Sequence, residues 1–103
     1  MFDPARDGET FSRDTGCTEA EWLGWLPGAC GAHPLHRGPG PGQARVALPA
    51  GWLHLHWRAL PPRRIALIQL PRLHVDYRFE GVPPEVRAAF MRHFDLYMQR
   101  GGG

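Results

Sequence analysis

Two groups of side chains in this sequence are of kinds that bind or react. His54 and His56 stand two apart, and Cys30, His33 and His36 follow one another at intervals of three. Imidazoles at i and i+2 share one strand face and can chelate a zinc or iron ion. A third ligand would have to come from His74 or Asp76. The strand register expected below puts His54 opposite Leu70, with His74 about 13 Å further along at the usual rise per residue. Arg58 and Arg78 on the same face also disfavour a cation. The competing reading is a solvated or partner-facing surface of histidine and arginine.

Cys30-x-x-His33-x-x-His36, with Cys17 upstream, offers soft and borderline ligands at short spacing. The order departs from the paired Cys-x-x-Cys arrangement of structural zinc sites. A Cys–His nucleophilic pair would need spatial contact and a lowered thiol pKa. The plainer reading is a small buried cysteine followed by two loop histidines.

The remaining candidate surface is Trp52, His54, His56, Arg58, Arg72, His74 and Arg78. Aromatic and arginine side chains on an open sheet could stack bases and contact phosphates. Trp52, Ile68 and Leu70 on the same side would be poorly solvated alone, which favours a second subunit or another protein over RNA. No RNA-binding signature, phosphate-cradling glycine loop, carboxylate pair or nucleophile elbow is present.

The elements that position these residues are legible in the central stretch. Trp52 to Ala59 alternates, with Leu53, Leu55, Trp57 and Ala59 on one face and Trp52, His54, His56 and Arg58 on the other. Leu73 to Glu80 repeats the pattern, as half-buried strands do. Arg45 to Leu48 reads as a short strand, and Leu60-Pro61-Pro62-Arg63 reads as a break between strands. That break would put Trp57 opposite Leu67 and Ala59 opposite Ile65. A two-residue turn at Pro71-Arg72 is disfavoured, because such turns need positive φ at their first position. One long strand from Arg64 onward, bent at Pro71, is therefore expected.

Helices flank the sheet. Thr18-Glu19-Ala20-Glu21 is a capping box, with Cys17 and Trp22 at the staple positions and Pro27-Gly28 as the stop. Pro84 opens a second helix, from about Glu85 to Arg100. Its stripe of Val86, Phe90, Phe94 and Tyr97, flanked by Met91 and Met98, should pack on the sheet, with Arg87, Arg92, Asp95 and Gln99 turned away. The fold class is thus α+β. A small antiparallel sheet of three to four strands carries an N-terminal and a C-terminal helix on one face. Residues 1–16 are expected as an extended arm pinned by Phe2 and Phe11, and residues 27–43 as a Gly/Pro/His-rich loop. Residues 101–103 form a glycine tail.

Arg100-Gly101-Gly102-Gly103 resembles the ends of ubiquitin-like and sulfur-carrier proteins, whose terminal glycine is adenylated and loaded. Only the tail matches. Those families place a strand before it, whereas a helix is expected here, and their β-grasp order is not apparent. The plainer reading is a capping glycine with a frayed end.

Composition bounds the rest. One hundred and three residues make one domain, and 43% hydrophobic content supports a modest core. All twelve basic residues are arginine, and lysine and asparagine are missing; with many Ala, Gly and Pro residues, this points to a GC-rich bacterial genome. Residues 1–14 lack the basic-then-apolar order of a signal peptide, and no run reaches the roughly 18 apolar residues of a membrane span. The expectation is a cytoplasmic protein with reduced cysteines. It should be a non-catalytic interaction module, homodimeric or bound to a protein partner through the open face, with neither membrane nor nucleic acid as its target. The alternatives are a small zinc- or iron-binding protein and a carrier modified at its C-terminal glycine.

Overall fold

The computed structural model describes residues 10–102. Five strands form one open antiparallel sheet: β1 (Thr10–Thr15), β2 (Leu35–Arg37), β3 (Gln43–Leu48), β4 (Gly51–Ile65) and β5 (Ile68–Glu80). Their order across the sheet is β1-β5-β4-β3-β2. Two helices, α1 (Glu19–Cys30) and α2 (Pro84–Gly102), complete an α+β architecture. Both pack on one face, and among the described residues no helix lies on the other. Alternation makes that face: Leu53, Leu55, Trp57, Leu73, Val75, Tyr77 and Phe79 are all buried beneath the helices.

Aromatic rings join the layers. Phe94 of α2 stands edge-on to Tyr77 at 5.8 Å and to Trp22 of α1 at 6.0 Å. Phe90 meets Phe79 at 6.5 Å, and Trp22 meets Trp57 at 5.8 Å. Edge-to-face pairs add stabilisation beyond the area they bury.

The sheet has five strands where three to four were expected. The stretch read as an extended arm contains β1, which pairs with β5 from Thr10↔Arg78 to Thr15↔Leu73. Phe11 does pin it, stacking on Tyr77 at 4.6 Å; Phe2 lies outside the described residues. Arg13 reaches Asp95 on α2, so the edge strand is tied to the helical layer as well. The loop expected at 27–43 contains β2, which pairs Leu35 with Val46.

The capping box forms as expected: Thr18 accepts from the Glu21 amide, and the Glu21 carboxylate accepts from the Thr18 amide at 2.9 Å. The helix does not stop at Pro27-Gly28. It continues to Cys30, because Ala29 and Cys30 are fully buried and their burial outweighs the one lost amide donor at Pro27. Arg87, expected on the outer side of α2, is buried at 6% exposure and donates to the Val82 carbonyl at 2.9 Å. Tyr97, expected in the packed stripe, is 38% exposed.

The largest correction concerns the β4–β5 hairpin. Its turn is Ala66-Leu67, with Ala66 at φ 54°, and not Leu60 to Arg63. Trp57 therefore pairs with Val75 and Ala59 with Leu73, in place of Leu67 and Ile65. The strand expected from Arg64 begins at Ile68 and does run through Pro71. Leu60 pairs with Arg72 and Arg63 with Leu70, so Pro61 and Pro62 oppose the single Pro71 in a bulge. β3 leaves β4 after His56, and β1 leaves β5 after Leu73. The three prolines thus sit where both strands have lost their outer neighbours and no ladder donor is missed.

Candidate functional site

Beyond Leu60 and Arg72 the hairpin continues as a two-stranded arm. Leu60 to Ile65 spans about 17 Å at the usual rise per residue, and every residue from 61 to 70 is exposed. Directly paired residues share a face, so Arg63 with Leu70 and Ile65 with Ile68 extend the uncovered side of the sheet. The bulge brings Ile65 there by slipping the phase of β4 by one residue. Leu67 at the tip is 102% exposed, Ile68 60%, Ile65 50% and Leu70 41%. Arg58, Arg63, Arg64 and Arg72 accompany them, and no Asp or Glu occurs between Glu21 and Asp76.

The body of the uncovered face is a polar grid. One transverse row crosses all five strands: His36, Arg45, His54, Arg78 and Thr10. The next holds Gln43, His56, Asp76 and Ser12, and a third holds Arg58, His74 and Asp14. Trp52 is covered, with the Arg45 guanidinium 4.9 Å from its ring centroid and His36 at 5.9 Å.

Carboxylates organise two of the histidines. His74 Nδ1 lies 2.7 Å from Asp14 Oδ1, and its Nε2 lies 3.0 Å from Asp76 Oδ1. The bond to Asp14, aided by Asp76, raises the His74 pKa above the ordinary histidine value. Asp76 is held below the usual carboxylate range by the Ser12 hydroxyl and then by His74. His54 Nε2 lies 2.7 Å from Glu80 Oε1, and that bond lowers the Glu80 pKa.

A hollow of about 420 Å³ opens on this face. Thr10, Arg45, His54, His56, Asp76 and Arg78 line it, and Gly38 and Pro39 of the β2–β3 loop form a wall. Gly42 sets that loop. Its φ is 71°, its carbonyl accepts from the Trp57 amide at 2.8 Å, and a Cβ there would stand 2.5 Å from the Trp57 carbonyl oxygen. Only glycine combines that dihedral with so close an approach.

The structure brings His54, His56, Arg58, Arg72, His74 and Arg78 to one face, as the alternation implied. The register places His74 opposite Arg58 and Asp76 opposite His56, each one strand spacing away. His54 stands opposite Arg78 and not Leu70, yet His74 still lies four residues, about 13 Å, along the strands from it, as expected. It disperses the other constellation. Cys30 is fully buried in the core, His33 tilts against Phe90 at 5.6 Å, and His36 lies on the uncovered face against Trp52. Burial pushes the Cys30 thiol up to about 12, which keeps it protonated and a poor nucleophile at neutral pH. Among the described residues, no group of three or more His, Cys, Asp or Glu side chains is placed to hold a metal ion. No helix among them is long and apolar enough to cross a membrane.

Sequence reasoning missed Thr10, Ser12, Asp14 and Arg45 as parts of this face. The alternation of Phe11 and Arg13 against Ser12 and Asp14 was the available signal. It is weak because only one of the six β1 residues is a large hydrophobe. No protein-family model matches this chain, and no curated protein matches it significantly.

Proposed function

We propose that this chain is a non-catalytic protein-interaction module of a bacterial cytoplasm that self-associates through the β4–β5 arm. The observation that carries this reading is the arm's contiguous aliphatic surface, Ile65, Leu67, Ile68 and Leu70, held in water on a regular hairpin. Prolines on both arm edges discourage strand-to-strand addition, so contact through side chains is favoured over an extended ladder.

The partner is a second copy. The arm carries only positive charge, whereas carboxylates stand at its root on the same face: Asp14 pairs across from His74, and Asp76 across from His56. A two-fold arrangement laying each tip beside the other copy's root sets arginine against carboxylate and covers the aliphatic patch. Such a contact is self-complementary and closes at two subunits.

Size-exclusion chromatography with light scattering tests this. The wild-type chain is expected as a dimer that weakens with added salt. The double variant Leu67→Ser, Ile68→Ser is expected as a monomer whose melting temperature matches that of the wild type at concentrations too low for association. A monomeric wild type would sink self-association. A dimeric double variant would move the interface away from the arm.

A further inference from the structure

We propose that the hollow on the uncovered face binds the phosphate group of a small phosphorylated ligand. The proposal stands on the body of the sheet and does not depend on self-association through the arm.

The transverse row His36, Arg45, His54, Arg78, Thr10 contains no carboxylate, and all of it but His36 lines the hollow. This row places Arg45 and Arg78 on either side of one histidine. Their Cα atoms are about two strand spacings apart, roughly 10 Å. Two guanidinium groups at that separation can converge on one oxyanion lying above His54.

Nearby negative charge is already engaged. Asp76, the carboxylate lining the hollow, accepts from Ser12 and lies against His74. Glu80 lies against His54. Among the described residues, neither Arg45 nor Arg78 forms an ion pair within 4.0 Å. Arginine presents a planar fork of donors that matches phosphate oxygens two at a time. The Thr10 hydroxyl adds a donor from the opposite rim.

Shape selects the source of the phosphate. The hollow's volume of about 420 Å³ lies within the range of small-molecule sites. Gly38 and Pro39 wall one side, where a duplex or extended strand would need a continuous groove. Arg45 lines the hollow from β3, and its guanidinium rests on Trp52 outside the lining, free of any carboxylate among the described residues, until it turns to a ligand.

The test is calorimetric titration of the full chain with pyrophosphate at low ionic strength. Arg45→Gln and Arg78→Gln are compared with Arg92→Gln, an exposed arginine on α2 across the sheet. Saturable binding near one equivalent is expected, weakened about tenfold by either Arg45→Gln or Arg78→Gln, as the loss of one charge-assisted bond implies. Arg92→Gln should bind as wild type does, and all three variants should keep the wild-type melting temperature. Absence of saturable heat would overturn the proposal, as would equal weakening in all three variants. Binding of a thymidine decanucleotide that pyrophosphate cannot displace would also overturn it, in favour of a nucleic-acid surface.

Discussion

His74 and Asp14 meet across the β5–β1 ladder with Nδ1 2.7 Å from Oδ1, and the second ring nitrogen of His74 reaches Asp76. Both nitrogens donate only when the ring is charged, so the site favours imidazolium. The folded-state pKa of His74 is raised. Its stabilisation is therefore complete below about 6.5, the unperturbed value, and is lost as pH rises through the raised folded value. Asp76 is lowered, so its contribution is present above about 4 and is lost as pH falls through its depressed value. His74→Gln should lower the urea midpoint most between about pH 4 and 6.5, with the gap closing as pH rises through the raised folded value of His74. An equal gap at both ends would mean that the ring is neutral in the fold.

Cys17 and Cys30 are both unpaired and buried, at 1% and 0% exposure. Desolvation raises both thiol pKa values, that of Cys30 to about 12. Neither should react with a thiol-specific chromogenic disulfide in the native protein, and both should react fully in denaturant. Fast labelling of one native thiol would contradict the packing described for it.

Gly42→Ala should destabilise the fold by about 1–3 kcal/mol, the usual cost of forcing a side chain into a left-handed backbone position. The added Cβ would meet the Trp57 carbonyl oxygen, which belongs to the backbone of a central strand and cannot swing aside. Thermal denaturation measures this, and a neutral result would show that the β2–β3 loop relaxes freely.

Phe94→Ala should cost about 3–5 kcal/mol, as emptying an aromatic core position does. Its ring touches Trp22, Tyr77 and Phe90, joining both helices to the sheet. Leu67→Ser, at the arm tip, should stay within about 0.5 kcal/mol of wild type under conditions where the protein is monomeric. The contrast, read by urea denaturation, separates the core from the arm.

Local pattern carried much of this fold. The alternation in 52–59 and 73–80 showed which residues share a face, and the capping box marked the start of α1. The stripe of α2 was largely right, because Phe90, Met91 and Phe94 repeat at helical spacing. Short edge strands were less legible. β1 and β2 have few large apolar residues, and their pairing comes from neighbours far along the chain. The Leu60-Pro61-Pro62-Arg63 stretch looked like a turn because proline ends most ladders; here the flanking strands have already ended, so proline costs nothing.

The sequence by itself determined the fold class, the two helices on one face and the side of the sheet on which His54, His56, His74 and the arginines lie. Those follow from periods of 2 and 3.6, which are local properties of the backbone. Only the tertiary structure decided the register of β4 against β5, and with it which residues of that face are neighbours. Side-chain alternation is indifferent to a shift of two residues. The Ala66-Leu67 turn and the bulge at Pro61-Pro62 choose among the registers, and those depend on which strands have outer neighbours at that point in the sheet. That choice set Arg78 opposite His54 and left Ile65, Leu67, Ile68 and Leu70 on an arm in water; the β1 and β3 pairings, equally long-range, put Asp14 beside His74 and Arg45 on the other side of His54.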